Sequence, residues 1–266
     1  YTQKILTQLE SDAPPPDIVI WPETAVPLLL TDDHAWLKDL AAFIPPQSHL
    51  ITGIVREKND KIYNSVILLA SDGTIADEYY KRQLVPFGEF IPLRNLLPLD
   101  RIAPGPRDFS AGEAARTLMA DKVPAVQPMV CYESIFPRLA QSENLRARWL
   151  LTITNDAWFG NSPGPYQHFD MGRVRAVEQG LPLIRVANTG ISGVIDVHGH
   201  VLRRLELGKQ GVLDVVLPPA KKSTFYARNG ESMLFLCLLT LYLFAVVYAR
   251  STKGGIRDFP LPWTRI

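Results

Sequence analysis

A thiol, a carboxylate and an ammonium stand in three short segments: Cys131 in Val130-Cys131-Tyr132-Glu133-Ser134, Glu23 in Trp21-Pro22-Glu23-Thr24, and Lys81 in Tyr79-Tyr80-Lys81-Arg82. Together they make a complete set for acyl chemistry. A thiol attacks an acyl carbon as the thiolate, a carboxylate can accept its proton, and a lysine can hold the oxyanion that develops at the carbonyl. Each segment taken singly has a plainer reading. A lone buried cysteine is more often an inert small hydrophobe, an acid before Thr24 can open a helix, and a lysine after two tyrosines can be a solvated strand end. The conjunction of the three is what carries the chemistry.

The surroundings of each residue predict how it is placed. Cys131 follows the apolar run Ala125 to Val130 and precedes a turn at Glu133-Ser134. Backbone N–H groups after the strand then point toward the sulfur and form part of an oxyanion hole. Glu23 sits behind Pro22 at the end of another apolar run, where it is placed to act as a general base. Lys81 ends a strand-like segment from Thr74 to Tyr80, and a cation there is expected to keep Cys131 ionised as well as to stabilise the oxyanion.

Elements that hold such residues must alternate between strand and helix. Asp17 to Trp21, Leu50 to Val55, Asn64 to Leu69, Val126 to Val130, Trp149 to Thr154 and Leu183 to Ala187 are short apolar runs bounded by turn formers. Such runs suit strands covered on both faces. His34 to Phe43, Ile135 to Glu143 and Tyr166 to Gln179 carry helical spacing, and Ser71-Asp72-Gly73 and Val197 to His200 read as hairpin turns. The sum is an α/β layered domain with sheet inside and helices outside, over residues 1–228.

A different solvent is implied at the end of the chain. Met233 to Ala249 holds no charge over 17 residues, the lower limit for a membrane-spanning helix. The spanning segment is assigned to 229–250, and Arg250, Lys253 and Arg257 mark a cytoplasmic tail, 251–266. A buried core helix would need a domain able to wrap all its faces. The opening Tyr1-Thr2-Gln3-Lys4-Ile5-Leu6 reads as the end of an amphipathic helix, so the chain is expected to be a piece of a longer polypeptide. From Leu84 to Pro106 five prolines and the apolar residues Leu84, Val85, Phe87, Phe90, Ile91, Leu93, Leu96, Leu97 and Leu99 follow no regular period. That segment reads as a lid or arm over the site, dipping into lipid or packing on the domain's own core.

Composition excludes several classes. A net charge of +1 from 28 basic and 27 acidic residues, with no basic block, leaves no nucleic-acid footprint. Two cysteines, Cys131 and Cys237, make no disulfide framework, and His34, His49, His168, His198 and His200 form no metal-ligand spacing. No glycine-rich phosphate loop occurs, so neither cofactor nor metal is expected.

The three segments together resemble the nitrilase (carbon–nitrogen hydrolase) superfamily, which implies an αββα sandwich with a Glu-Lys-Cys triad. Within it, Trp21 to Pro27, Tyr79 to Pro92, Cys131 to Pro137, Thr154 to Gly160 and Ala187 to Ser192 are similar to the apolipoprotein N-acyltransferases, and Lys81-Arg82-Gln83-Leu84-Val85-Pro86-Phe87-Gly88-Glu89 is the most specific stretch. The resemblance implies a membrane enzyme of the bacterial inner membrane with its catalytic domain on the periplasmic side. Cys131 would take an acyl chain from a phospholipid, with Glu23 as base and Lys81 at the oxyanion, and pass it to the amine of a diacylglyceryl apolipoprotein. Glu89, Tyr132 and Glu133 map onto the family's supporting residues, and Phe87, Phe90, Trp158 and Phe159 are expected to line an apolar entrance for the acyl chain. The family carries several membrane helices before this domain, and the sequence has none. Two other readings stand beside this one: an amidase acting on small carbon–nitrogen substrates, and a catalytically silent membrane-anchored binding module.

Overall fold

The computed structural model describes residues 14–31, 35–93, 96, 107–114, 116–141 and 146–255. The chain divides after Thr224 into two compact units. In the first, one sheet is built from β1 (Ile18–Ile20), β2 (Val26–Leu30), β3 (His49–Lys58), β4 (Lys61–Ala70) and β5 (Ile75–Tyr80). The other comprises β6 (Leu118–Ala120), β7 (Val123–Val130), β8 (Trp149–Asn155), β9 (Leu183–Asn188), β10 (Ser192–Ile195) and β11 (Val201–Leu205), in spatial order β11-β10-β9-β8-β7-β6. Strands β7, β8 and β9 are parallel.

Side-chain alternation along the strands explains how the layers stack. In β4, Val66 and Leu68 join one buried cluster while Ile67 and Leu69 join another on the opposite face. In β8, Trp149, Leu151 and Ile153 enter the first cluster, and Leu150 joins a third with Phe169 and Ala176. The shared cluster is therefore the seam between the two sheets. Helix α1 (Leu37–Ala41) covers the outer face of the first sheet, and α2 (Gly164–Gln179) that of the second. The architecture is an αββα sandwich, and both-face burial is why the strands read as unbroken apolar runs.

Several elements differ from the sequence expectation. Of the helix predicted from His34 to Phe43, α1 occupies only Leu37–Ala41, and His34 lies outside the described residues. The helix predicted from Ile135 to Glu143 is replaced by two 3-10 turns, Cys131–Ile135 and Pro137–Ala140, because Pro137 restarts the chain after Phe136; Glu143 lies outside the described residues. Strand β2 was hidden by Pro27, which an edge strand tolerates. Strand β11, the exposed edge of its sheet, carries Arg203 and Arg204 in place of an apolar run.

One device in the first sheet creates the site. β1 and β2 run parallel to the same strand, β3, one pairing Ile18–Ile20 with His49–Ile51 and the other starting at Val26 opposite Ile54. Residues 21–25 bulge out between them, pinned by Gly53 N–H to the Pro22 carbonyl (3.2 Å) and Ala25 N–H to the Gly53 carbonyl (3.1 Å). A Cβ on residue 53 would lie 2.6 Å from the Glu23 Cα and from the Thr24 nitrogen. Only glycine allows that approach. Gly53→Ala is expected to destabilise the domain by roughly 1–3 kcal/mol, the usual cost of overpacking, and to displace Glu23. A thermal melt together with the rate of Cys131 acylation checks it; wild-type values for both would refute the role given to Gly53.

The second unit holds α3 (Phe225–Asn229) and α4 (Ser232–Gly255). Its stretch Ser232–Ser251 is 20 residues long, apolar and unburied. At 1.5 Å per residue it reaches about 30 Å, the thickness of a bilayer's hydrocarbon core. The exposed apolar side chains do not fit a buried core helix.

Candidate active site

Glu23, Lys81 and Cys131 all stand just beyond the C-terminal ends of strands: β1, β5 and β7 respectively. The two sheets bring these ends together. Lys81, 1% exposed, lies with its Nζ 3.0 Å from each carboxylate oxygen of Glu89 and 3.9 Å from Oε1 of Glu23. Burial alone would depress the ammonium, but the charges of Glu23 and Glu89 outweigh it and hold Lys81 above the ordinary lysine range. It is a fixed buried cation.

Glu89 reaches Lys81 because residues 85–90 fold into a tight turn. Its N–H donates to the Val85 carbonyl (2.8 Å), its Oε2 accepts from the Val85 N–H (2.9 Å), and Phe87 adopts a left-handed backbone (φ 61°). Gly88 fits there because Val85 packs where a side chain would stand.

Cys131 opens the 3-10 turn after β7 with φ at 51°, a conformation rare for a residue with a Cβ. Such strain is held in place only by over-determined surroundings, and functional sites are where it collects. Glu133 supplies part of the hold. Its fully buried carboxylate accepts from the Val130 N–H (2.7 Å), the Arg82 N–H (2.7 Å), the Gln83 N–H (3.1 Å) and the Tyr79 hydroxyl (3.0 and 3.1 Å). Burial raises its pKa, and the backbone donors oppose that rise without cancelling it. Glu133 thus fastens the segment that carries Lys81 to the strand that carries Cys131.

The thiol itself is not ionised by this environment. Burial and the Glu23 carboxylate push it up to about 12, against the Lys81 charge and a hydrogen bond with the Thr154 hydroxyl. The sequence expectation that Lys81 keeps Cys131 as a thiolate is therefore corrected: desolvation and a neighbouring carboxylate outweigh the cation. Ionisation must accompany reaction, with a base close at hand.

Two residues bind the Glu23 carboxylate without having been singled out from the sequence. Asn64, on β4 opposite Lys81, donates through Nδ2 to Oε1 of Glu23 (2.7 Å) and to Oε1 of Glu89 (2.9 Å). The Asn155 N–H donates to Oε2 of Glu23 (2.8 Å). The available signal for Asn64 was a polar residue inside the run Ile62 to Leu69. A third group missed in the sequence lies behind Cys131: His168, Asp156 and Arg185, all buried. His168 Nδ1 is 3.0 Å from Asp156 Oδ1, and Arg185 Nη2 donates to Asp156 Oδ2 at 2.7 Å. These partners hold the Asp156 carboxyl below its usual range although burial works the other way.

The remaining predicted residues fall on three segments beside the site. Phe87 is exposed and Phe90 half-buried on the turn after Lys81. Trp158 and Phe159 are exposed on the 3-10 turn Asp156–Phe159 that follows Asn155. Tyr132 is half-buried, its ring edge-on to Phe136 at 5.1 Å. Of the predicted arm, Leu84 and Ile91 are buried while Leu93 and Leu96 are 71% and 74% exposed; 94–95 and 97–106 lie outside the described residues. The arm thus packs on the core at its start and offers apolar side chains further along. No cluster of three metal-ligating side chains occurs among the described residues.

An αββα sandwich that gathers a half-buried cysteine, a buried lysine and buried carboxylates beyond its strand ends defines a class. The sequence pattern of the carbon–nitrogen hydrolases matches residues 12–221, and the chain belongs to that family. The fold is shared with Nit3 of Saccharomyces cerevisiae, a member of the nitrilase superfamily: TM-score 0.58 over 79% of each chain, at 19% identity. In sequence the chain is similar to the apolipoprotein N-acyltransferase of Rhodopseudomonas palustris, 42% identical over 251 residues covering 90% of this chain and 46% of that protein. The corresponding protein of Bradyrhizobium diazoefficiens is 41% identical over 242 residues, covering 86% of this chain and 44% of its own length. The chain thus spans about half the length of these relatives.

Proposed function

We propose that this chain carries the acyl-transfer machinery of an apolipoprotein N-acyltransferase, with Glu23, Lys81 and Cys131 as its catalytic triad. The observation that carries the reading is the buried cation Lys81 fixed between Glu23 and Glu89, with the half-buried Cys131 thiol within reach of the Lys81 and Glu23 charges. In the first half-reaction Cys131 Sγ attacks the acyl carbonyl of a phospholipid while its proton passes to Glu23. Lys81 and the backbone N–H after Cys131 stabilise the oxyanion. The ester C–O bond breaks, the Glu23 proton goes to the departing glycerol oxygen, and a thioester and a lysophospholipid remain. In the second half-reaction the α-amine of a diacylglyceryl-cysteine attacks the thioester. Its proton passes to Glu23, the C–S bond breaks, and the thiolate is reprotonated.

Glu89 keeps Lys81 paired and immobile, and Glu133 keeps the strand ends in register. The similarity to the N-acyltransferases and the apolar helix Ser232–Ser251 support a lipid donor. So do the exposed Phe87, Leu93, Leu96, Trp158 and Phe159, which suit an entrance where a chain is worth about 0.8 kcal/mol per CH₂ kept from water. With the tail after Arg250 in the cytoplasm, the domain faces the outer side of the bacterial inner membrane.

The test is mass spectrometry of the full-length, membrane-embedded protein after incubation with phospholipid. A hydroxylamine-labile acyl mass is expected on the peptide holding Cys131, absent in Cys131→Ala, and lost on adding a diacylglyceryl-cysteine peptide, which gains it. A protein that forms no adduct and releases ammonia from small amides instead is an amidase.

A further inference from the structure

Behind Cys131, on the side away from Glu23 and Lys81 in the hydrogen-bond network, the backbone carbonyl of the nucleophile is gripped by two side chains. His168 Nε2 lies 3.0 Å from that carbonyl oxygen, and the Ser134 hydroxyl donates to it at 3.1 Å. A carbonyl oxygen has two lone pairs, and both are engaged. The carbonyl oxygen can only accept, and the Ser134 hydroxyl, 2.8 Å from Nε2, spends its own hydrogen on that carbonyl, so the arrangement is satisfied with the hydrogen on Nε2, shared between the Cys131 carbonyl and the Ser134 oxygen. The other ring nitrogen is held by Asp156 Oδ1 at 3.0 Å and by Arg185 Nη2 at 3.1 Å. With the hydrogen on Nε2, Nδ1 accepts from Arg185.

A trans peptide is planar, with its C=O and N–H pointing in opposite directions. Fixing the Cys131 carbonyl toward His168 therefore fixes the Tyr132 N–H toward the opposite side. Tyr132 is the second residue of a 3-10 turn, where an N–H has no acceptor within the helix. The elbow that bears the sulfur is itself in a left-handed conformation. Its peptide would relax without a rigid anchor.

We propose that His168 is a positioning residue that aims the Tyr132 N–H as an oxyanion donor for acyl transfer at Cys131. Asp156, Arg185 and Ser134 lock the ring in that orientation. The reaction served is that of the reading above, so the test separates the two. Full-length His168→Phe and His168→Gln are compared with the wild type in two reactions of Cys131. Alkylation by iodoacetamide forms an S–C bond at a saturated carbon with loss of iodide and develops no oxyanion. Acylation by p-nitrophenyl butyrate forms the thioester, expels p-nitrophenolate and passes through a tetrahedral oxyanion.

His168→Phe is expected to slow acylation about 100-fold, the scale of one lost oxyanion donor, while alkylation changes less than about threefold, the margin read as no loss of thiol reactivity. Glutamine, whose amide can still donate to the carbonyl, restores acylation to within about tenfold of wild type, since a donor retained keeps most of that factor. Equal losses in both reactions would mean a general structural defect and overturn the proposal, as would wild-type acylation in the phenylalanine variant or no recovery with glutamine. A wild type that is acylated by the nitrophenyl ester but never by phospholipid would instead defeat the lipid-donor reading and leave the role of His168 standing.

Discussion

Lys81→Met is expected to abolish acyl-adduct formation to the limit of detection, at least 10³-fold below wild type. Two losses combine: the oxyanion loses its nearest fixed cation, worth 10²–10³ in comparable sites, and the thiol loses the charge that draws its pKa downward. The substitution is also costly to the fold. Glu23 and Glu89 share the Asn64 amide, and without the ammonium two buried carboxylates face each other without the cation that pairs with both. Breaking a buried pair by removing one partner costs about 3–5 kcal/mol. The double variant Lys81→Met/Glu89→Gln removes the surplus charge, so it should regain a measurable part of that stability while remaining inactive. Thermal melts and adduct mass measured on both proteins separate the chemical role of Lys81 from its structural one. A folded single variant that acylates at the wild-type rate would dismiss Lys81 from the mechanism.

The contrast between what the chain announces and what it conceals has a physical origin. Cys131, Glu23 and Lys81 lie within one to three residues of strand ends, so a local pattern of apolar run, turn former and reactive side chain exposes them. Glu89 follows because the same turn that ends at Phe90 carries it. The partners that fix these groups are not local. Asn155 binds Glu23 across 132 positions, and Asn64 reaches Glu23 across 41. His168 faces inward from a helix whose spacing is that of any packed helix, and its partners come from elsewhere: Asp156 just after β8 and Arg185 within β9. Tertiary pairing alone gives these residues their meaning.

The same limit applies to the fold. Strands buried on both faces, such as β3, β4 and β8, are legible because both faces demand apolar residues. An edge strand has one face or one side free, so β2 tolerates Pro27 and β11 tolerates two arginines. The pairing of β1 and β2 with a single strand left no mark except Gly53, whose importance lies in an atom it lacks. The state of the thiol was misjudged for a related reason: a nearby lysine is visible in a motif, whereas the depth at which it acts is not.

Glu23→Gln is expected to convert a nearly pH-independent reaction into one that climbs with pH. In the wild type the proton of Cys131 has a destination in the Glu23 carboxylate, 3.9 Å from the Lys81 ammonium and oriented by Asn64 and the Asn155 N–H. Transfer to that base accompanies attack, so the acylation rate should vary little between pH 7 and pH 9. Glutamine keeps the shape and cannot take the proton. Reaction then depends on thiolate formed in free equilibrium, and for a thiol near 12 that fraction at pH 7 is of order 10⁻⁵. Removing the Glu23 charge lets the thiol pKa fall, because that carboxylate is one of the groups pushing it up, so the loss at pH 7 is smaller, about 10³-fold to 10⁴-fold, in line with removal of a general base. The sign is fixed: below the thiol pKa each added pH unit multiplies the thiolate roughly tenfold. Acylation rates of the variant from pH 7 to pH 9 should therefore rise about 100-fold, two such steps, while the wild type stays within about threefold. A variant as flat as the wild type would mean that the thiol proton leaves by another route, and the Thr154 hydroxyl, which donates to Asp156 at 3.0 Å, would be the group to examine next.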